Sequence, residues 1–370
     1  MAARTGQSPG ALSDAVRGRH LPPLEVALAY AEACGGDRTE WERRWRAAQA
    51  GSATAPAPKR RWPLVAVAGT TALALAVAGV ILAKRLVHES PPADSTGHSA
   101  RFFADDDVFN QRHPHPRPVP DSARMVTDLL ALGRVELRTG KASPVVYRAA
   151  PGTPTYAVTP RKHVGQWGAN PFEGIGFPWD ATWEAPLERQ WTVVIAPDGR
   201  ALECWLAKVR DGKPSCEWGA VSDIHGSSVS AKGQGTGSGL SRLAGMITRA
   251  DWRAGHIDHA LSFGSPDNNS QYVYPAVGSD GRRQGPWREG QFIWLDRAYD
   301  IEADTSLTPY ERVIAKALQE YGAFDVKNSA QFGFVSEYGS KPPGSKEDYA
   351  SLEHIKFAKY LRVGTITPSS

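Results

Sequence analysis

The chain has 370 residues, with 43 Lys/Arg against 39 Asp/Glu for a formal net charge of +4, and 3 cysteines. The excess is local: residues 1–61 hold ten basic and six acidic side chains, whereas residues 86–370 are close to neutral and slightly acidic. The basic whole-chain charge therefore describes residues 1–61 and is no evidence that the larger part of the chain binds nucleic acid.

Three helical patterns open the chain. Ser8-Pro9 starts a helix through Val16 that Gly18 ends, with Pro at its first position. A second pattern over residues 23–34 aligns Leu24, Val26, Ala27, Tyr30 and Ala31 and stops at Gly35-Gly36. A third opens on Asp37 and Glu40 in loose capping-box spacing and continues through Trp41, Trp45 and Ala48.

The string Ser8-Pro9-Gly10-Ala11-Leu12-Ser13-Asp14-Ala15-Val16-Arg17-Gly18-Arg19-His20-Leu21-Pro22, followed by Ala31-Glu32-Ala33-Cys34-Gly35-Gly36-Asp37 and Trp41, resembles the second half of an actinobacterial helix-turn-helix domain of the Xre/Cro type. The resemblance implies a recognition helix over residues 8–17, with Gly10, Ser13, Asp14 and Arg17 as the DNA-binding candidates. The two helices that precede it in that family have no counterpart after Met1. Residues 1–50 are thus expected to form a partial helix-turn-helix module, either a remnant or one whose start codon lies upstream. A helical stub that packs on a partner and binds no DNA is the plain alternative.

Residues 51–61 form a Pro-stiffened tether ending in Lys59-Arg60-Arg61. Residues 62–83 then run without a charge, and as a helix at about 1.5 Å per residue they cover about 33 Å, enough for a bilayer core. The heavier basic cluster precedes the run, which places that flank in the cytoplasm. A secretory signal would carry a shorter apolar core, roughly 7–15 residues, near the chain start. The expectation is a single-pass anchor in the cell membrane, with the N-terminus cytoplasmic and, after a linker at 84–101, an extracytoplasmic C-terminal domain.

Residues 102–370 read as one large, mainly-β domain of sandwich or jelly-roll-like type with a few helices. Strands are expected at 192–195, 201–209, 216–224, 259–263, 272–274 and 291–295, between turns such as Pro197-Asp198-Gly199. Helices are expected at 121–132, 240–246 and 308–321. The last has Thr308 as cap, Pro309 at the first position, Glu311 closing the box, and a stripe of Val313, Ile314, Ala317, Leu318 and Tyr321. Cys204 and Cys216 flank the tight-turn signal Asp211-Gly212 and fall on neighbouring strands. They form either a disulfide, with a bulge near Pro214, or two buried thiols.

Gly233-Gln234-Gly235-Thr236-Gly237-Ser238-Gly239-Leu240 invites a phosphate-loop reading. It lacks a Lys-Ser/Thr ending, and Leu240 stands where a dinucleotide fingerprint has its third glycine. A permissive loop that lets chain segments pass closely is the expectation. The catalytic candidates are Asp258 and His259 in His256-Ile257-Asp258-His259, and Asp223 and His225 in Asp223-Ile224-His225, because an Asp-His pair can orient an imidazole base. Turn-capping by the Asp and carbonyl contacts by the His are the alternative. Asp105, Asp106, Asp107, Asp180, Glu184 and Glu203 offer carboxylates for a glycosidase pair, though spacing pairs none of them. Trp167, Trp179, Trp183, Trp191, Trp205 and Trp218 suit either sugar stacking or the core. No metal site and no cofactor are expected.

Asp106-Asp107-Val108-Phe109-Asn110, Gly237-Ser238-Gly239-Leu240-Ser241-Arg242-Leu243-Ala244-Gly245, Gly255-His256-Ile257-Asp258-His259-Ala260-Leu261 and Ala317-Leu318-Gln319-Glu320-Tyr321-Gly322 look like signatures of a broad family of secreted bacterial proteins. That resemblance spans residues 102–340 and implies a β-sandwich without naming a reaction. Phe109 stands where the family usually has Trp. The expected function is a membrane-anchored regulator or sensor, with an outer domain that binds an envelope ligand and an inner module that contacts DNA or a transcription partner. The alternatives are a tethered cell-wall or carbohydrate-binding module with a vestigial inner part, and an envelope glycoside hydrolase or lyase. Exposed tryptophans in a planar row would mark the second; Asp258, His259 and a carboxylate converging in a pocket would mark the third.

Overall fold

The computed structural model describes residues 24–25, 27–28, 37–39, 41–43 and 45–46, and residues 101–367 except 115, 141–142, 185–190, 341, 343–344 and 346–348. The chain divides into two compact units, Met1–Glu89 and Ser90–Ser370. In the first unit, residues 24–25, 27–28, 38–39, 41–43 and 45–46 are helical, within the second and third expected helices. Leu28 is buried, and Arg46 pairs with Glu42 one turn away at 2.6 Å. Gly10, Ser13, Asp14 and Arg17 lie outside the described residues, as does the apolar run 62–83. Among the described residues, no helix is long and apolar enough to cross a membrane.

The second unit is mainly β, with a few helices. Its largest sheet has seven strands in the order β17 (Tyr349–Ser351), β1 (Glu136–Arg138), β16 (Gly333–Val335), β11 (Leu261–Ser265), β15 (Ala323–Asn328), β14 (Phe292–Leu295) and β18 (Leu361–Gly364). A five-stranded sheet follows the order β10 (Lys232–Gly233), β9 (Trp218–Asp223), β6 (Arg200–Trp205), β5 (Trp191–Ile195) and β2 (Val145–Arg148). Three two-stranded ribbons are added: β3 (Thr155–Ala157) with β4 (Gly176–Pro178), β7 (Lys208–Arg210) with β8 (Lys213–Ser215), and β12 (Asn268–Tyr272) with β13 (Trp287–Glu289).

Alternation along the central strands builds the layers. Successive side chains of a strand point to opposite faces, so a continuous apolar run needs cover on both. In β14, Ile293 and Leu295 enter one core while Phe292 and Trp294 enter another. The first core is closed by α1 (Ser122–Ala131), through Met125, Val126 and Leu129, and by a longer helix over Pro309–Glu320, through Ile314, Ala317 and Leu318. The second core receives Val193, Ile195 and Ala201 from the five-stranded sheet. The outer face of that sheet packs Val194, Leu202 and Val221 on Phe172, Phe177 and Trp179, the last two carried by and following β4.

Two sheets facing across a shared core agree with a layered β domain, but they are not those of a jelly roll. The pairs β1–β16, β11–β15 and β2–β5 are parallel. Parallel neighbours require crossover connections rather than hairpins.

Residues 240–246, expected as a helix, instead form turns. Gly239 (φ 78°) and Gly245 (φ 65°) take left-handed conformations at either side, and the Ser241 hydroxyl accepts the Leu243 amide. The helix lies just beyond, as α2 (Arg249–Ala254), started by a Thr248–Asp251 capping box and stopped by Gly255 at φ 72°. The run at 201–209 is likewise not one strand: Leu206 at φ 51° separates β6 from β7.

That break governs the cysteines. Asp211 (φ 51°) and Gly212 (φ 72°) make the tight turn of the β7–β8 ribbon, in which Val209 faces Pro214 in unbroken register. The irregularity expected near Pro214 sits at Leu206 instead. The chain thereby returns Cys216 beside β6, where it is disulfide-bonded to Cys204 with Cα atoms 5.4 Å apart.

The helix over Pro309–Glu320, α3, carries the complete set of terminal signals. Thr308 Oγ1 accepts the Glu311 amide at 3.4 Å, and Glu311 Oε2 accepts the Thr308 amide at 3.0 Å. Thr308→Ala should lower the unfolding free energy by about 1 kcal/mol, the usual worth of such a cap. Urea titration checks this, and an unchanged midpoint would show that the box contributes nothing.

Candidate ligand-binding site

The Asp-His candidates are separated by the fold. Asp258 stays at the surface, with Oδ2 3.2 Å from His256 Nε2. His259 turns inward: Nδ1 lies 2.9 Å from the Ala260 carbonyl and Nε2 3.4 Å from Asp251 Oδ2, the carboxylate that caps α2. Burial opposes the imidazolium of His259, but the hydrogen bond and charge of Asp251 hold its pKa above the ordinary value. The cavity beside it, walled by Phe102, Phe103, Phe109 and Leu243, encloses about 10 Å³. That is no more than a water needs.

Asp223 Oδ1 accepts the His225 amide at 2.9 Å, and the His225 ring lies against Gly199, 2.7 Å from where a Cβ would stand. Asp107 accepts the Phe109 and Ser228 amides at 3.0 and 2.7 Å, and Asp180 accepts Thr182. These groups hold turns, and none of them lines the pocket between the sheets.

That pocket encloses about 20 Å³ and is lined by Trp191 of β5, Thr236, Ser241 and Arg242 of the glycine-rich segment, Ser262 of β11, and Val326 and Lys327 of β15. The glycine-rich segment reaches it because side chains there would collide with neighbours: a Cβ on Gly235 would strike Glu203, one on Gly237 would strike Asp280, and one on Gly239 would strike Val277. The permissive loop is thus wedged between two acidic groups.

Glu203, fully buried in β6, is held by the Ser241 hydroxyl, by the Ser222 hydroxyl at 3.2 Å and by the Arg242 amide at 3.0 Å. Burial nevertheless raises its pKa. Arg242 donates from Nε to the Gly235 carbonyl and lies over the Trp191 ring at 4.3 Å. Burial pulls its pKa down to about 10, against the favourable charges of Glu203, Asp280 and Glu289.

Lys327 arrives through a register shift between β11 and β15, where Phe263 faces Asp325 but Gly264 faces Lys327. The intervening Val326 is the extra residue of a bulge, a device that re-aims neighbouring side chains. Burial lowers the Lys327 pKa well below its ordinary value, and Arg242 and Arg138 lower it further.

Beneath the pocket lies a second group of acids. Asp325, buried, accepts Asn268 Nδ2 at 3.1 Å, while Asp325 Oδ2, Asn268 Oδ1 and Glu289 Oε2 have no hydrogen-bond partner. Burial raises the Asp325 pKa well above its ordinary value. Glu289 is pushed up to about 10, first by burial and then by the hydrogen bond and charge of Asp280. At neutral pH Glu289 is therefore protonated, which removes the cost of burying its charge, and burial biases Asp325 in the same direction. Among the described residues, no group of three or more His, Cys, Asp or Glu side chains is placed to hold a metal ion.

A third feature lies on the surface beside the five-stranded sheet. Trp167, 45% exposed, stacks on His163 with ring centroids 3.5 Å apart and planes within 3°, and Trp205 lies 6.3 Å from it at 29°. Backbone bonds close the loop: the Trp167 amide donates to the His163 carbonyl at 2.8 Å and the Gly165 amide to the Gly168 carbonyl at 2.7 Å. Tyr147 and Trp183 form a second stacked pair, 4.5 Å apart. Trp179 and Trp218 are core residues.

Arg242, Lys327, Asp325 and Glu289 were absent from the sequence candidates. One signal was legible, the alternation of charged and apolar side chains along Phe324-Asp325-Val326-Lys327 in a strand with a buried centre. No protein-family model, curated protein or solved structure matches this chain.

The Glu289 carboxyl has a consequence for pH. The folded protein keeps that proton from the ordinary carboxylate range up to about 10, while the unfolded chain releases it, so stability falls as pH rises through this window. Glu289→Gln should flatten the decline in unfolding free energy between about pH 5 and about pH 9. An unaltered slope would mean that Glu289 titrates as an ordinary surface acid.

Proposed function

We propose that this chain is a single-pass membrane protein of sensor or regulator type. Its outer, β-rich unit binds an envelope carbohydrate, and its inner residues contact DNA or a transcription partner. The supporting observation is the exposed Trp167 ring, held flat on His163 with Trp205 beside it. An aromatic ring fixed in one orientation presents its apolar face to the C–H face of a sugar with little conformational entropy to lose. The charge-free run at 62–83, its basic N-terminal flank and the helix-turn-helix-like string around Arg17 support the anchor and the inner role.

The hydrolase alternative draws less support. Asp258 and His259 face different partners, and His259 is committed to Asp251 and the Ala260 carbonyl. A tethered wall-binding module shares the Trp167 surface and differs only in what the inner residues do.

Full-length protein in detergent should bind insoluble cell-wall polysaccharide. Trp167→Ala should weaken that binding about tenfold, the loss of one aromatic contact, with no change in thermal unfolding. Equal binding by the variant would remove the surface from consideration. On the inner side, DNA affinity should fall with added salt and with Arg17→Ala. Absence of binding at low salt would leave the tethered wall-binding module.

A further inference from the structure

Arg242 and Lys327 line one small pocket, and neither makes a salt bridge among the described residues. Arg242 uses Nε on the Gly235 carbonyl and one face on Trp191; its two terminal nitrogens and Lys327 Nζ make no hydrogen bond or ion pair among the described residues. The buried Ser262 hydroxyl, on the same wall, also lacks a partner among the described residues. Three donors of this kind around one opening are complementary to an acceptor-only group. We propose that the inter-sheet pocket binds the carboxylate of a small acidic ligand, seated between the Arg242 guanidinium and the Lys327 ammonium with Ser262 as a third donor.

Arg138, Arg242 and Lys327 act on one another across this region, so an anion between Arg242 and Lys327 is favoured, while Glu203 and Asp280 nearby oppose a second negative charge on it. Size agrees, because about 20 Å³ admits the tip of a flat two-oxygen group while the remainder of the ligand lies outside. The depressed pKa values of Arg242 and Lys327 point the same way, since each cation is buried beside the other and an anion between them relieves both.

The test is equilibrium dialysis of the full-length protein in detergent against radiolabelled D-glucuronate, D-glucose, acetate and inorganic phosphate. Glucuronate and acetate are expected to bind at one shared site, glucose not to bind there, and phosphate to bind at least about tenfold more weakly than glucuronate. Lys327→Met should cost about tenfold or more in glucuronate affinity, the loss of a charge-assisted contact, with thermal unfolding confirming that the variant is folded. Wild-type selectivity among the four probes tests the site without any variant. Trp167→Ala should leave acetate binding intact, which separates this site from the aromatic surface. Failure to retain either carboxylate, phosphate binding as tight as glucuronate, or an unchanged affinity in folded Lys327→Met would overturn the assignment.

Discussion

The second unit depends on one constraint: the central strands of its seven-stranded sheet are buried on both faces. In β14 and β15 the apolar side chains alternate between a core shared with helices and a core shared with the five-stranded sheet. Each side chain of this size contributes roughly 1.5–3 kcal/mol when fully buried, so neither covering layer can leave without exposing half of every central strand. Phe324 illustrates the closeness, with Phe109 and Phe292 each 4.9 Å away, centroid to centroid.

That same burial creates the polar features of the interior. In a strand covered on both faces neither Asp325 nor Lys327 can simply turn to water, so the structure answers each charge differently. Asp325 accepts a hydrogen bond from Asn268 while burial raises its pKa, whereas the β11–β15 bulge delivers Lys327 to a pocket wall. Glu203 is met by two hydroxyls and a backbone amide, all arriving on or beside the glycine-rich segment or β9. Cations, acids and pocket are thus products of how two sheets and one loop approach each other, and the glycines matter because they permit that approach.

Legibility followed the range of the interaction. The α3 cap, its first-position proline and its stripe depend on residues within four positions of one another. Cap and proline stand as expected, and Ile314, Ala317 and Leu318 are buried together, while Val313 is half-buried and Tyr321 enters the other core. The Asp211-Gly212 turn was equally local. Residues 240–246 misled because Leu240, Leu243, Ala244 and Met246 have helical spacing, yet they are buried by the inter-sheet core rather than by a helix axis. His259 misled because its sequence neighbour Asp258 is not its structural partner; Asp251 is. The interior acids carried only a faint signal, since alternation of charge and apolarity reads equally as a half-exposed strand.

By itself, the sequence determined the charge asymmetry between its two ends, the apolar run at 62–83, the mainly-β character of residues 102–370 and the capped helix near 308–321. Each follows from composition or from contacts within a turn or two. Only the tertiary structure decided the parallel strand pairs, the disulfide's route around Leu206, the exposed stacking of Trp167 on His163 and the meeting of Arg242 with Lys327. The physical reason is that side-chain partners in a mixed sheet are set by register between distant strands. Arg242 and Lys327 share a wall because β5, β11 and β15 bring it together, and no local pattern around either residue encodes that meeting.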